Sequence, residues 1–169
     1  VVHGIHVLLW GLDRFFSGID VARPTTLRVR FSKPTFVGDR VSICVKGSKS
    51  DEWNLEISAS GIAVATVTLT SRPPSRAVSG FVHPRVESLS ASPRALELRD
   101  IEGLAGSIDL EAATTEAANS FPAATRALGR ASVAALLATS RLVGMECPGL
   151  HSIFAGLSRP CNANRPGSS

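Results

Sequence analysis

The sequence predicts an α+β fold in which one long amphipathic helix packs on an antiparallel sheet. Residues 1–19 place apolar side chains at the i, i+3, i+4, i+7 spacing of a helix with one broad apolar face. Residues 26–70 then alternate apolar and polar side chains in consecutive runs separated by short turns, which is typical of hairpin-connected strands. Because a bare apolar sheet face is unstable in water, the helix and the sheet are expected to cover one another.

Each predicted strand has its own pattern. In the first, Leu27, Val29 and Phe31 alternate with Arg28 and Arg30, as in a strand with one buried face. The last run, residues 62–70, is rich in β-branched residues, which favour strands. The strands are expected at residues 27–31, 41–46, 53–60 and 62–70, with residues 47–51 as a hairpin loop.

The composition changes after this first unit. Residues 1–71 are interpreted as one domain, and residues 72–93, rich in proline and serine, as a linker. Residues 94–157 are predicted to be a helical region, with Pro122 at a helix start or break and Gly129 at a helix end. Residues 158–169 are polar and rich in Pro, Gly and Asn, and are predicted to be a disordered tail.

Composition excludes several classes of protein. Only 5% of the residues are aromatic, with no tyrosine, so a platform that stacks single-stranded nucleic acid is not expected. No apolar run reaches the roughly 18 residues of a membrane-spanning helix. The three cysteines match neither a zinc pattern nor a disulfide framework, so no metal is expected and a reducing, cytoplasmic location is predicted. The chain begins without a methionine, which suggests a processed or incomplete sequence.

Two motifs resemble a known family. The dipeptide His3-Gly4 begins the first helix, and the strand and turn Val29-Arg30-Phe31-Ser32-Lys33-Pro34 and Val37-Gly38-Asp39 follow it. This order resembles the MaoC-like hot-dog domain of enoyl-thioester hydratases and dehydratases. The resemblance implies a central helix in the concave face of a curled sheet. Residues 120–157 also resemble part of a hot-dog helix region, so a truncated double hot dog is the extended interpretation.

The resemblance implies a reaction and part of its site. In the family, water adds to a trans-2-enoyl thioester of coenzyme A or of a carrier protein, or is removed from the hydrated product, without a further cofactor. The resemblance makes Gly4 the candidate oxyanion residue, through its backbone amide, and His3 a second catalytic candidate, with a structural role as its alternative. A helix start suits this task because its first amides have no partner inside the helix.

The acid and base of this reaction are expected elsewhere. The family carries an Asp and a His in a D-x-N-P-x-H stretch before the His-Gly dipeptide, and this sequence begins immediately before that dipeptide. The chain is therefore expected to hold half of an active site and to be inactive alone. A non-catalytic hot-dog module for binding or assembly, and an acyl thioesterase, are the alternative functions.

Three residues are candidates for binding the substrate. Ile5 follows the proposed oxyanion residue, and Arg30 and Lys33 belong to the densest basic group of a chain with net charge +4. A basic rim could attract the phosphates of coenzyme A or of a carrier-protein arm. The alternative is an ordinary solvated strand face.

Other reactive side chains have simpler interpretations. Asp39 ends a turn and is expected to bond the loop backbone. His6 is expected to be a partnered histidine at the border of helix and sheet. Cys147 could be a reactive thiol or a packing residue, whereas adjacent His151 and Ser152 would point about 100° apart on a helix and so would not form a catalytic pair.

The expected assembly follows from the resemblance. Hot-dog domains pair sheet edge to sheet edge, which covers exposed backbone groups. A homodimer, or the internal pairing of a double hot dog, is therefore predicted, with acyl-CoA or an acyl-carrier protein as partner and neither nucleic acid nor a membrane span.

Overall fold

The helices and strands follow the predicted order of one helix and then consecutive strands. The computed structural model describes residues 2–72, 111–141 and 155–161. Its elements are α1 (Gly4–Gly18), β1 (Thr26–Phe31), β2 (Val41–Lys49), β3 (Glu52–Ala59), β4 (Ile62–Thr70), α2 (Glu111–Ser120), α3 (Pro122–Leu128), α4 (Arg130–Arg141) and β5 (Gly156–Pro160). The α+β class predicted from the sequence is confirmed.

The strands form one curled antiparallel sheet with the order β2-β3-β4-β1-β5. The alternation in β1 sorts its side chains as predicted, because Leu27 and Val29 are buried whereas Arg28 and Arg30 are exposed. Only one face of the sheet therefore belongs to the core.

Helix α1 lies on this apolar face. Its side chains Ile5, Leu8 and Leu12 are completely buried in the same cluster as the inward residues of the strands. Gly11 allows the closest approach, because a Cβ at this position would lie 2.9 Å from Cδ1 of Ile57 on β3. A larger residue at position 11 would require the Ile57 side chain or the helix to shift.

The first hairpin differs from its prediction. Residues 47–51 were expected to form the loop, but β2 continues through Gly47 to Lys49, and β3 begins at Glu52. The register shifts between Val45 and Gly47, and this irregularity carries the strand through the glycine. A glycine inside a strand and a glycine in a turn have the same local signal, so the sequence pattern could not separate them.

The predicted tail at residues 158–169 is wrong for its first residues. Strand β5 pairs with β1, with Leu157 opposite Val29 and Ser158 opposite Arg28. Pairing with β1 satisfies backbone groups that this polar segment would otherwise leave to water. The segment therefore completes the sheet of the first unit.

The helices of the C-terminal part pack on the same core. Buried residues of this part, such as Leu128, Val133 and Leu136, belong to the same cluster as α1 and the strands. Asp13 on α1 caps the start of α3, since its Oδ1 accepts hydrogen bonds from the amides of Ala123 (2.7 Å) and Ala124 (3.0 Å). Such a cap typically contributes about 1 kcal/mol of stability. The boundary predicted between residues 1–71 and 94–157 therefore does not separate two cores among the described residues.

Candidate functional site

The start of α1 carries the chemistry that the sequence singled out. His3 is the N-cap residue in extended conformation, with φ −61° and ψ 129°. Its carbonyl accepts hydrogen bonds from the amides of His6 (3.0 Å) and Val7 (3.3 Å). Within the described part of the chain, nothing accepts a hydrogen bond from the amides of Gly4 and Ile5. The amide of Gly4 can serve a ligand oxygen, whereas Ile5 is completely buried, which keeps its amide out of reach of a ligand.

The chain before the helix is held in place by the loop that follows β1. The amide of Val2 donates to the carbonyl of Thr35 at 2.7 Å, in an isolated antiparallel bridge. Thr35 is itself buried, with 5% of its surface exposed. The two amides at the helix start therefore rest on a braced backbone.

A groove of about 390 Å³ runs beside this helix start. One wall comes from α1 and the other from the beginning of β2, and the volume lies in the range of small-molecule sites. Its lining residues are Val2, His6, Val7, Trp10, Asp39 and Val41. The described lining is thus mostly apolar, with one imidazole and one carboxylate.

Both oxygens of the Asp39 carboxylate accept hydrogen bonds from nearby protein groups. Its Oδ2 accepts a hydrogen bond from the amide of Phe36 at 2.8 Å, and its Oδ1 accepts one from the hydroxyl of Ser60 at 3.0 Å. The expectation that Asp39 bonds the loop backbone is confirmed. With both oxygens engaged, Asp39 is better placed to shape the groove than to move protons.

His6, in the wall of the groove, contacts the C-terminal part of the chain. Its exposed ring lies 6.5 Å from the ring of Phe121 in an edge-on arrangement, and 6.3 Å from the ring of His3. Phe121 connects α2 to α3, so the C-terminal helices contribute to this site. His3 is also exposed, but it does not line the groove.

Gly4 faces the sheet and not the groove. A Cβ at this position would lie 3.0 Å from Cε1 of Phe31, at the end of β1. At about 100° per residue, Gly4 and Trp10 are separated by about 120° around the helix. The amides at a helix start point along its axis, however, so this angle does not turn them away from the mouth of the groove.

The three predicted substrate-binding residues are not brought together. Ile5 is completely buried in the core, so its side chain cannot meet a ligand in the groove. Arg30 is exposed on the face of the sheet opposite α1, next to Thr66 of β4. Lys33 is exposed in the loop after β1. The structure therefore places these three candidates in different surroundings and not at the groove.

The outer sheet face near Arg30 is lined with polar side chains that bond one another. On the neighbouring strands Lys46 and Glu56 form an ion pair at 3.0 Å, and this hydrogen bond raises the pKa of Lys46 above its usual value. Thr68 donates to Asn54 at 2.9 Å on the same face. The solvated strand face, left open as the alternative for Arg30, agrees with these surroundings.

Cys147, His151 and Ser152 lie outside the described residues. In the described ranges, no three His, Cys, Asp or Glu side chains converge as a metal site would require. No helix of the same ranges is long and apolar enough to cross a bilayer.

The sequence matches no family model, and neither a curated protein nor a solved structure matches it significantly.

Proposed function

We propose that this protein is a hot-dog-like domain of the enoyl-thioester hydratase/dehydratase type that binds an acyl thioester beside the start of α1. In this proposal α1 is the central helix of the hot dog. The amide of Gly4 receives the thioester oxygen, and the acyl chain lies on Val7, Trp10 and Val41. The substrate is an acyl thioester of coenzyme A or of a carrier protein.

One observation carries the proposal. An apolar groove, with one imidazole among its described lining residues, lies at the start of a helix whose first amide, that of Gly4, has no acceptor among the described residues. A thioester combines an apolar chain with one carbonyl oxygen that gains negative charge when an enolate forms. Backbone donors at a helix start stabilise such charge.

Binding without hydration is the expected behaviour of this chain alone. Addition of water needs a positioned acid and base. Among the described residues, the titratable groups that line the groove are His6 and Asp39, and both oxygens of Asp39 accept hydrogen bonds from the protein. The groove is therefore proposed to bind and orient a thioester, which agrees with a non-catalytic or incomplete hot-dog module.

Trp10 offers a direct test of binding. The chain has two tryptophans, so Trp53→Phe leaves Trp10 in the groove as the only indole. We expect trans-2-butenoyl pantetheine to change the fluorescence of this variant in a saturable manner. The His6→Gln substitution should weaken binding about two- to tenfold, the usual effect of losing one polar contact.

The matched control is His3→Gln, because His3 is an equally exposed imidazole outside the groove. It should leave the affinity unchanged. The proposal is contradicted if the fluorescence of Trp10 does not respond, or if the two histidine variants behave alike.

The location and assembly of the protein extend the proposal. Cys44 and Cys161 are both free thiols, which suits a reducing compartment such as the cytoplasm.

Strand β2 is an edge strand of the sheet, so we propose that two copies pair through it as a homodimer.

A further inference from the structure

A second concave surface lies at the other end of α1. It is a cleft of about 440 Å³ between the segment that follows α1 and the helix α3. Its walls include the apolar residues Phe16, Ile19 and Val21, and its polar residues are Asp20, Arg23 and Arg126. The cleft thus combines an apolar surface with two guanidinium groups.

Arg23 is held in place by a hydrogen bond, and neither arginine of the cleft is neutralised by an ion pair among the described residues. Arg23 donates from Nε to the carbonyl of Ala127 at 3.2 Å, which holds its guanidinium over the end of α3. An arginine has five N–H donors, so this bond leaves its terminal nitrogens for another acceptor. Among the described residues, neither Arg23 nor Arg126 forms an ion pair, although Asp20 lines the same cleft.

The surroundings of Arg23 add positive charge. Arg159 and Arg23 both lie close enough to Cys161 to act on its thiol, while burial raises the pKa of that thiol to about 11. A thiol with this pKa is uncharged at neutral pH, so it does not offset either arginine. Arg159 is half-buried, and burial lowers its pKa from the usual arginine value. Among its described lining residues, the cleft therefore holds two arginines and one carboxylate.

Arginines near helix ends have a simpler use, since cations there offset the partial negative charge of the last carbonyls. The bond from Arg23 to Ala127 is of this kind. That role does not account for the apolar walls that the two arginines share, nor for the concave shape between them. A carboxylate with an alkyl tail matches both parts, because guanidinium binds carboxylate with parallel hydrogen bonds.

We propose that this cleft is a second ligand site, which binds a medium-chain alkyl carboxylate. The carboxylate lies between Arg23 and Arg126, and the tail lies on Phe16, Ile19 and Val21. The volume suits a small molecule. The site is separate from the groove at the start of α1 and does not depend on the thioester proposal.

Calorimetric titration of the full chain with octanoate tests the site. We expect octanoate to bind more tightly than octanol or acetate, since octanol lacks the charge and acetate lacks the tail. The affinity should fall with added salt. Arg126→Gln should weaken binding of octanoate about tenfold, as expected for a lost charge-assisted hydrogen bond, and Arg126→Lys should weaken it less.

Arg130→Gln is the matched control, because Arg130 is an exposed arginine nearby that does not line the cleft. It should change the affinity less than twofold. Arg126 is exposed, and an unchanged thermal transition will show that its variants are folded. Equal binding of octanol and octanoate would overturn the proposal, as would equal effects of the Arg126 and Arg130 substitutions or an absence of octanoate binding.

Discussion

The contact between Gly4 and Phe31 favours a small residue at the start of α1. A Cβ at position 4 would lie 3.0 Å from Cε1 and 3.1 Å from Cδ1 of the ring, closer than ordinary van der Waals contact. Glycine is therefore favoured here by space and not by backbone conformation. The same contact ties the helix start, with its two amides, to the end of β1.

Gly4→Ala tests this account at the scale of one residue. Alanine favours a helix over glycine by about 1 kcal/mol, but crowding against the ring should cost about 1–3 kcal/mol. We expect net destabilisation, measured as the free energy of unfolding in urea. In a Phe31→Leu background the same substitution should be neutral or stabilising.

Gly18→Ala serves as the comparison, because nothing lies within 4 Å of a Cβ at that position of the same helix. It should not destabilise the protein through crowding. If Gly4→Ala costs as much in the Phe31→Leu background as in the unchanged protein, the ring is not the cause.

Strand β2 is the element through which the protein is proposed to associate. It spans Val41–Lys49 and pairs with β3, and among the described residues no strand pairs with its other edge, which therefore presents backbone donors and acceptors. Val45 is 43% exposed on this strand. Pairing of two β2 edges would cover both the backbone groups and this apolar side chain.

Val45→Lys tests the pairing. Around a two-fold axis near the middle of β2, the two introduced lysines would lie close to one another, and their like charges would oppose the pairing. Sedimentation equilibrium should show a dimer for the unchanged protein and a monomer for this variant. Thr66→Lys, on a strand inside the sheet, should remain dimeric. A monomeric unchanged protein would contradict the proposed pairing.

For the molecule as a whole, the sequence predicted the elements better than their assembly. The alternation of Leu27 and Val29 with arginines predicted β1 and its buried face, since that pattern is local. Strand β5 could not be predicted in this way, because its pairing with β1 depends on residues more than a hundred positions away. The packing of α3 on α1 through Asp13 has the same long-range origin.

The site was predicted only at its helix start. The groove joins Val2, Trp10 and Val41 from separate segments, and no local pattern connects them. The positions of Arg30 and Ile5 in the structure did have a signal in the sequence. The alternation that predicted β1 also turns Arg30 away from the buried face, and the helical periodicity puts Ile5 on the apolar stripe.

Hydration of trans-2-butenoyl-CoA tests the central claim, that the groove binds a thioester without turning it over. The measurement follows the absorbance of the conjugated enoyl group at thioester concentrations that saturate the response of Trp10. We predict that the thioester binds and that the absorbance stays at the level of a protein-free sample. Loss of absorbance that His6→Gln abolishes would contradict this account, because it would show a working acid and base in the groove.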